Sequence, residues 1–258
     1  MKVRSLFLVA IFLIAYTQLV KGQPQPRRDC QSRCGNVTIE YPFGISTGCY
    51  YPGDDSFNIT CEEDKPNVRQ NIEVRNFNHS GQLRVMLRPS TVCYDKERNN
   101  GFGSRWYRLR NLSLSTKNKF TLVGCNAFAL LRFFGMQNYS TGCLTLCDSP
   151  SATTSYCNGV GCCTTDVSIP LDSEILVIQQ TRFANMTSVQ DFNPCIYAFF
   201  VEDGMFNFSS SEDLKNLRNV TKFPVVLDWS IGNQTCQQVI GRDICGGNST
   251  CFDSTRGK

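Results

Sequence analysis

Histidine is nearly missing from this chain of 258 residues, with His79 the only one. A zinc site built with imidazole, a Ser-His-Asp triad and a Cys-His pair would all have to draw on that single ring. His79 also lies inside Asn78-His79-Ser80, an acceptor sequence for N-linked glycan. A glycan there would crowd any cleft, so His79 reads as a surface residue. Long apolar runs are missing after the first 22 residues, and spanning a bilayer takes about 20 consecutive apolar residues. Internal repeats and low-complexity blocks are missing too, which excludes solenoid and array architectures. A large net charge is also lacking. Lys and Arg number 26 against 22 acids, so the sum selects no partner.

What is present points to the oxidising secretory pathway. Lys2 and Arg4 precede an apolar run from Leu6 to Ala15, and Val20 and Gly22 suit a signal-peptidase site, so residues 1–22 read as a cleaved signal. A membrane anchor is the competing reading, but Tyr16, Thr17 and Gln18 break the run. Cleavage leaves 236 residues, enough for a hydrophobic core and for more than one domain. The Pro-rich 23–29 stretch reads as a free tail. Twelve cysteines can all pair: Cys30, Cys34, Cys49, Cys61, Cys93, Cys125, Cys143, Cys147, Cys157, Cys162, Cys163 and Cys195. Which bonds which is not readable from their spacing. Thiolate–zinc chemistry is the alternative for Cys30-x3-Cys34, Cys143-x3-Cys147 and Cys162-Cys163, but secretion favours disulfides. Adjacent Cys162 and Cys163 are expected to bond different partners. Three further cysteines, Cys236, Cys245 and Cys251, make the total fifteen and odd.

Charge is unevenly distributed, and screening within about 8 Å makes local balance matter more than the sum. From Arg69 to Arg132 there are twelve Lys or Arg against three acids, whereas residues 23–68 and 133–258 are net acidic. The chain has a basic middle between acidic flanks.

Short alternating or β-branched segments bounded by Gly, Pro, Asn and Ser predict strands at 37–41, 57–61, 83–87, 112–115, 120–124, 175–180, 196–201 and 224–229. Leu83, Val85 and Leu87 alternate with Arg84, Met86 and Arg88, which puts both arginines on the outward face. A helix is expected over Ser210–Leu217, with a serine cap, acids in the first turn and leucines three apart. Ala127–Phe134 is apolar and fits buried strand or helix equally. Ten sequons, at Asn36, Asn58, Asn78, Asn111, Asn138, Asn185, Asn207, Asn219, Asn233 and Asn248, mark surface positions, most of them expected to carry glycan. None falls between Asn78 and Asn111, where seven basic residues lie, although the longer gap from Asn138 to Asn185 bears no such charge.

Several cysteine blocks occur in a specific order. Cys30-x3-Cys34-Gly35-x3-Ile39-x-Tyr41-Pro42-Phe43-Gly44-Ile45-x3-Cys49 resembles the start of the extracellular galacturonan-binding domain of plant wall-associated receptor kinases. Val123-Gly124-Cys125-Asn126, Asn158-Gly159-Val160-Gly161-Cys162-Cys163, Tyr197–Glu202 and Pro224–Ile231 extend the resemblance along the chain. Cys236-x8-Cys245-x5-Cys251 resembles the opening half of an epidermal-growth-factor-like module, in which the first and third cysteines pair. That implies a Cys236–Cys251 bridge, with the mate of Cys245 beyond residue 258; a leftover thiol used for dimerisation is the other reading. The resemblance implies a mainly β, disulfide-stapled secreted ectodomain with few short helices. Residues 30–130 would be the galacturonan-binding module, 131–235 a second β-rich module, and 236–258 an incomplete growth-factor-like module.

The implied ligand is de-esterified pectin and its oligogalacturonides, and the implied setting is extracellular, in the cell wall. Full-length members continue into growth-factor-like repeats, one membrane span and a cytoplasmic kinase. This sequence contains no glycine-rich nucleotide loop or catalytic-loop motif, so it is not expected to be an enzyme. Other readings are a soluble decoy, a structural wall glycoprotein, or a glycoside hydrolase using two carboxylates whose spacing only the fold decides. Nucleic-acid binding would suit the basic stretch, but glycans and extracellular delivery argue against it.

Polygalacturonate carries a carboxylate on each sugar, so a receptor needs several cations in a row and flat apolar surface for the pyranose faces. Arginine's planar fork holds carboxylates bidentately. Arg105-Trp106-Tyr107-Arg108-Leu109-Arg110 interleaves forks with rings. As a strand it puts Trp106, Arg108 and Arg110 on one face and Arg105, Tyr107 and Leu109 on the other. Arg98, Arg108, Arg110, Lys117 and Lys119 are the leading carboxylate contacts, with Trp106 as sugar platform; Arg105, Arg84 and Arg88 are further candidates. A solvated basic face with Trp106 in the core is the alternative. Calcium is expected only as a bridge between pectin chains. Asp54-Asp55 and Glu62-Glu63-Asp64 lack the spacing of a calcium loop.

Overall fold

Each of the eight alternating segments contains a strand in the computed structural model of the protein. The structure describes residues 29–69, 71–78, 81–94, 102–109, 111–134, 139–149, 156–167, 175–182, 189–232, 234–239 and 251–253. The leader, most of the tail, His79, Arg98, Arg110, Cys245 and the sequons at Asn138, Asn185, Asn233 and Asn248 lie outside the described residues. Among the described residues, no helix is long and apolar enough to cross a membrane.

The early strands are β1 (Arg33–Cys34), β2 (Val37–Thr38), β3 (Gly44–Ile45), β4 (Asn58–Glu62), β5 (Lys65–Val68), β6 (Ile72–Asn78), β7 (Gln82–Leu87) and β8 (Ser90–Cys93). They are followed by β9 (Phe102–Arg108), β10 (Leu112–Leu114), β11 (Asn118–Val123), β12 (Ala127–Phe134) and β13 (Tyr139–Thr145). The last are β14 (Cys162–Asp166), β15 (Ile175–Arg182), β16 (Cys195–Glu202) and β17 (Phe223–Trp229). Apart from the β1–β2 pair they form three sheets, ordered β10-β17-β7-β6-β5-β4-β3, β14-β11-β16-β8 and β13-β12-β15-β9. All neighbours are antiparallel except β3 and β4.

The sheets draw strands from both sides of residue 130. The expected module boundary after it falls inside β12, β17 lies between β10 and β7, and β8 and β9 pair with β16 and β15. One apolar cluster takes Leu83 and Val85 from the seven-stranded sheet, Phe120 and Phe200 from the β14-β11-β16-β8 sheet, and Leu131 and Ile178 from the third. The two central strands of the β14-β11-β16-β8 sheet, β11 and β16, are buried on both faces. Along β16, Ile196, Ala198 and Phe200 face that cluster, while Tyr197, Phe199 and Val201 face a second one closed by Leu214 and Leu217. A continuous apolar run such as Ile196–Val201 is what a strand buried on both sides requires.

The undecided segment 127–134 is a strand. Ala127, Ala129, Leu131 and Phe133 are buried, and the residues between them are half-buried or exposed. The expected helix forms late, as α1 (Asp213–Asn216) running into a 3-10 turn at Leu217–Asn219. No serine side chain caps it. Instead the Ser209 N–H donates to the Asp213 carboxylate at 2.7 Å, and the Ser209 and Ser211 hydroxyls bond each other.

Seven disulfides staple these layers. They are Cys30–Cys49, Cys34–Cys61, Cys93–Cys195, Cys125–Cys147, Cys143–Cys163, Cys157–Cys162 and Cys236–Cys251. All twelve cysteines from Cys30 to Cys195 are therefore paired among themselves, which leaves none of them as a thiolate for zinc. The adjacent Cys162 and Cys163 take different partners, and Cys143–Cys163 ties β13 to β14. Of the bridges that run from the core toward the surface, two join half-buried Cys61 and Cys157 to the fully buried Cys34 and Cys162. Cys34–Cys61 fastens the small β1–β2 pair to β4, whereas Cys157–Cys162 closes a short loop leading into β14. The Tyr-Pro-Phe-Gly block also acquires a reason. Phe43 is buried edge-on against Phe57 and Trp229, with ring centroids 5.1 and 5.6 Å away. A Cβ at Gly44 would lie 2.1 Å from the Cys49 carbonyl oxygen, so only glycine fits this close approach.

Candidate functional site

Strand β9 separates its residues as alternation requires. Tyr107 and the following Leu109 are buried, whereas Trp106 is 63% exposed and Arg108 is exposed beside it. The indole is therefore on the surface, not in the core. Tyr107 fixes the strand from beneath: its hydroxyl donates to the Arg88 carbonyl, and its ring meets Phe200 edge-on. Burial pushes the Tyr107 hydroxyl well above the usual phenol range, against the opposing field of Arg105, so it stays protonated and able to donate. Arg105 is half-buried on the inward side, and its Nε has no hydrogen-bond partner among the described residues.

A second group of candidate cations gathers where β7, β11 and β16 meet. Arg84 Nε and Nη2 donate to the two carboxylate oxygens of Glu202, both at 2.6 Å. That bidentate pair raises the Arg84 pKa. Lys119 Nζ donates to Asp166 and lies 3.7 Å from Asp203, and the Asp166 hydrogen bond raises its pKa. Lys117 Nζ donates to Gln82 Oε1 at 2.7 Å, and Gln82 in turn donates to Asp228 at 3.0 Å. Arg69 pairs with Asp54 at 3.6 Å. Burial works against ionisation of Asp54, but hydrogen bonds from Ser56 and Asn111 and the Arg69 charge together hold its carboxyl below the usual range. Three cations of the basic middle, Arg69, Arg84 and Lys119, are thus paired with acids from the flanks.

Among the described residues, Arg88, Arg108 and Arg132 have no ion-pair partner, and all three are exposed. The structure brings Trp106 and Arg108 together on one face of β9, holds the Arg88 carbonyl beneath that strand through the Tyr107 hydroxyl, and places Arg84, Lys117 and Lys119 in the separate mixed-charge cluster. Arg132 lies in a segment whose periodicity fits helix or strand, so the sequence alone does not assign its face. Once 127–134 is a strand, its alternation puts Arg132 outward. Of the sequons described, Asn36, Asn78, Asn111, Asn207 and Asn219 are exposed and Asn58 is half-buried.

Residues 30–87 match the family model described as wall-associated receptor kinase galacturonan-binding. The chain is 75% identical over its whole length to wall-associated receptor kinase 5 of Arabidopsis thaliana, covering 35% of that protein. It is 63% identical to wall-associated receptor kinase 1 over 99% of its length and 58% identical to wall-associated receptor kinase 3 over 97%, both also from Arabidopsis thaliana. The chain covers 35% and 36% of those two proteins, so it spans about a third of each relative. No solved structure matches.

Proposed function

With residues 30–87 matching the family model described as wall-associated receptor kinase galacturonan-binding, we propose that this chain is an extracellular, non-catalytic module that binds de-esterified pectin and oligogalacturonides in the cell wall. The observation that carries this reading is the family match, and the chemistry of the surface supports it. Exposed Arg108 shares one face of β9 with an exposed indole, which suits a ligand with a carboxylate on each ring and flat pyranose faces. Arg98 and Arg110 remain candidates from outside the described residues. Arg84 and Lys119 are committed to carboxylates of their own chain, so a ligand must compete for them. Calcium enters only as a bridge between pectin chains.

The test is calorimetric titration of the secreted glycoprotein with oligogalacturonides and with their methyl-esterified counterparts. Binding of the acidic form that weakens as salt rises, with Arg108→Glu weaker still, supports the reading. Equal affinity for both forms, or none for either, overturns it. New reducing ends after incubation with polygalacturonate would overturn the non-catalytic part alone.

A further inference from the structure

The outward face of the β13-β12-β15-β9 sheet has a composition that a water-facing sheet ordinarily avoids. An antiparallel sheet with one face on the core normally alternates polar residues outward. Here Phe102, Trp106, Phe134 and Leu144 are 58, 63, 38 and 52% exposed, with Phe128 and Leu130 half-buried between them. The strand register arranges this surface. Trp106 pairs with Val177, which pairs with Arg132; in the next row Arg108 pairs with Ile175, which pairs with Phe134. Rings and guanidinium groups therefore alternate diagonally, with each ring two strands, about 10 Å, from a cation in its own row.

Resting on the pectin-binding reading above, we infer that this face is the platform on which a carboxylated polysaccharide lies, with Trp106 and Phe134 under sugar rings and Arg108 and Arg132 clasping carboxylates. Charge complementarity selects an acidic occupant. The four strands contain Arg105, Arg108, Arg132 and Arg182 and not one Asp or Glu. No sequon asparagine lies within them, the sequon at Asn138 immediately preceding β13. A second copy of the chain is a poor occupant, because a twofold contact would set this face, with arginines and no acids in its strands, against itself. Aromatic faces beside the forks favour sugars over a plain polyanion. The platform adds Arg132 and Phe134 to the site, both in a segment whose strand character only the fold reveals.

The experiment measures oligogalacturonide affinity for the secreted full chain and for Trp106→Ala, Arg132→Ala, Phe134→Ala and, away from the platform, exposed Lys215→Ala on α1. Loss of a charge-assisted pair at Arg132 is expected to weaken binding about tenfold to a hundredfold, with Lys215→Ala within about twofold of the parent. Arg132→Lys keeps the charge and the stem but not the fork, and is expected to fall between parent and Arg132→Ala. Unchanged binding by all three platform variants, each folded by near-UV circular dichroism, would overturn the platform and leave pectin binding standing. No binding by the parent would overturn both. Equal affinity for a polyglutamate peptide would overturn the assignment to sugar.

Discussion

Two sheets of this molecule treat charge in opposite ways. The seven-stranded sheet keeps cations and carboxylates together. Glu73 accepts from Lys222 at 2.7 Å and lies 3.3 Å from Arg75, Arg84 grips Glu202, and two sequon asparagines, Asn58 and Asn78, lie on its strands. The β13-β12-β15-β9 sheet has arginines without acids, exposed rings, and no sequon asparagine. Charges paired within the chain contribute to the fold and have little left to offer a ligand. Unpaired guanidinium groups beside apolar rings contribute little to stability and are available to a partner. Binding capacity therefore follows from which cations lack an internal carboxylate, not from how many the stretch contains.

The sharpest way to break this contrast is to alter neighbouring residues on opposite faces of β12. Leu131→Ala removes a fully buried side chain and is expected to cost about 2–5 kcal/mol in denaturant unfolding. Arg132→Ala next to it should change stability by less than about 0.5 kcal/mol while impairing binding. Similar losses of stability at both positions would show that the outward face is not free. Cutting the Cys143–Cys163 tie with paired serine substitutions should cost about 3 kcal/mol for a loop of this length and loosen the platform sheet, seen as faster amide exchange in β13.

On the other sheet, Arg84→Ala is expected to cost about 0.5–1 kcal/mol, because the pair with Glu202 is partly exposed, and to leave oligogalacturonide affinity nearly unchanged. A tenfold loss of affinity would place Arg84 in the site after all. The smallest effect concerns pH. The hydrogen bond from Lys222 holds the Glu73 carboxyl below the usual range, so its contribution is complete above the unfolded-state pKa and is lost as pH falls through the lower, folded-state value. Glu73→Gln should be less stable than the parent at neutral pH and converge with it on acidification. A gap that widens in acid would contradict that linkage.

Much of the architecture was legible in advance. Alternation at Leu83, Val85 and Leu87 puts Arg84 outward, as found, and the aromatic interleaving of 105–109 sorts Trp106 and Arg108 from Tyr107 and Leu109. The Cys236–Cys251 bridge, implied by resemblance, is formed. The other six pairings were not legible, since Cys61 reaches back 27 residues to Cys34 while Cys157 closes on Cys162 only 5 residues away. Spacing along the chain does not rank such partners; the strands that bring the sulfurs together do. The segment 127–134 was not legible either, because a run apolar on both sides of the backbone has no period to read. Helix α1 starts at Asp213, later than expected, with no side-chain cap, and its Asp213 carboxylate accepts from the Ser209 N–H.

By itself the sequence determined the clearly alternating strands, the faces on which their side chains lie and the pool of cysteines, because these follow from local periodicity and residue chemistry. Only the tertiary structure decided which cations are taken. Glu202 lies 118 residues from Arg84, and Asp166 lies 47 from Lys119. An ion pair forms through space between groups that the chain order keeps apart. Charge counted along the sequence therefore states what is available, and folding determines what remains for a ligand.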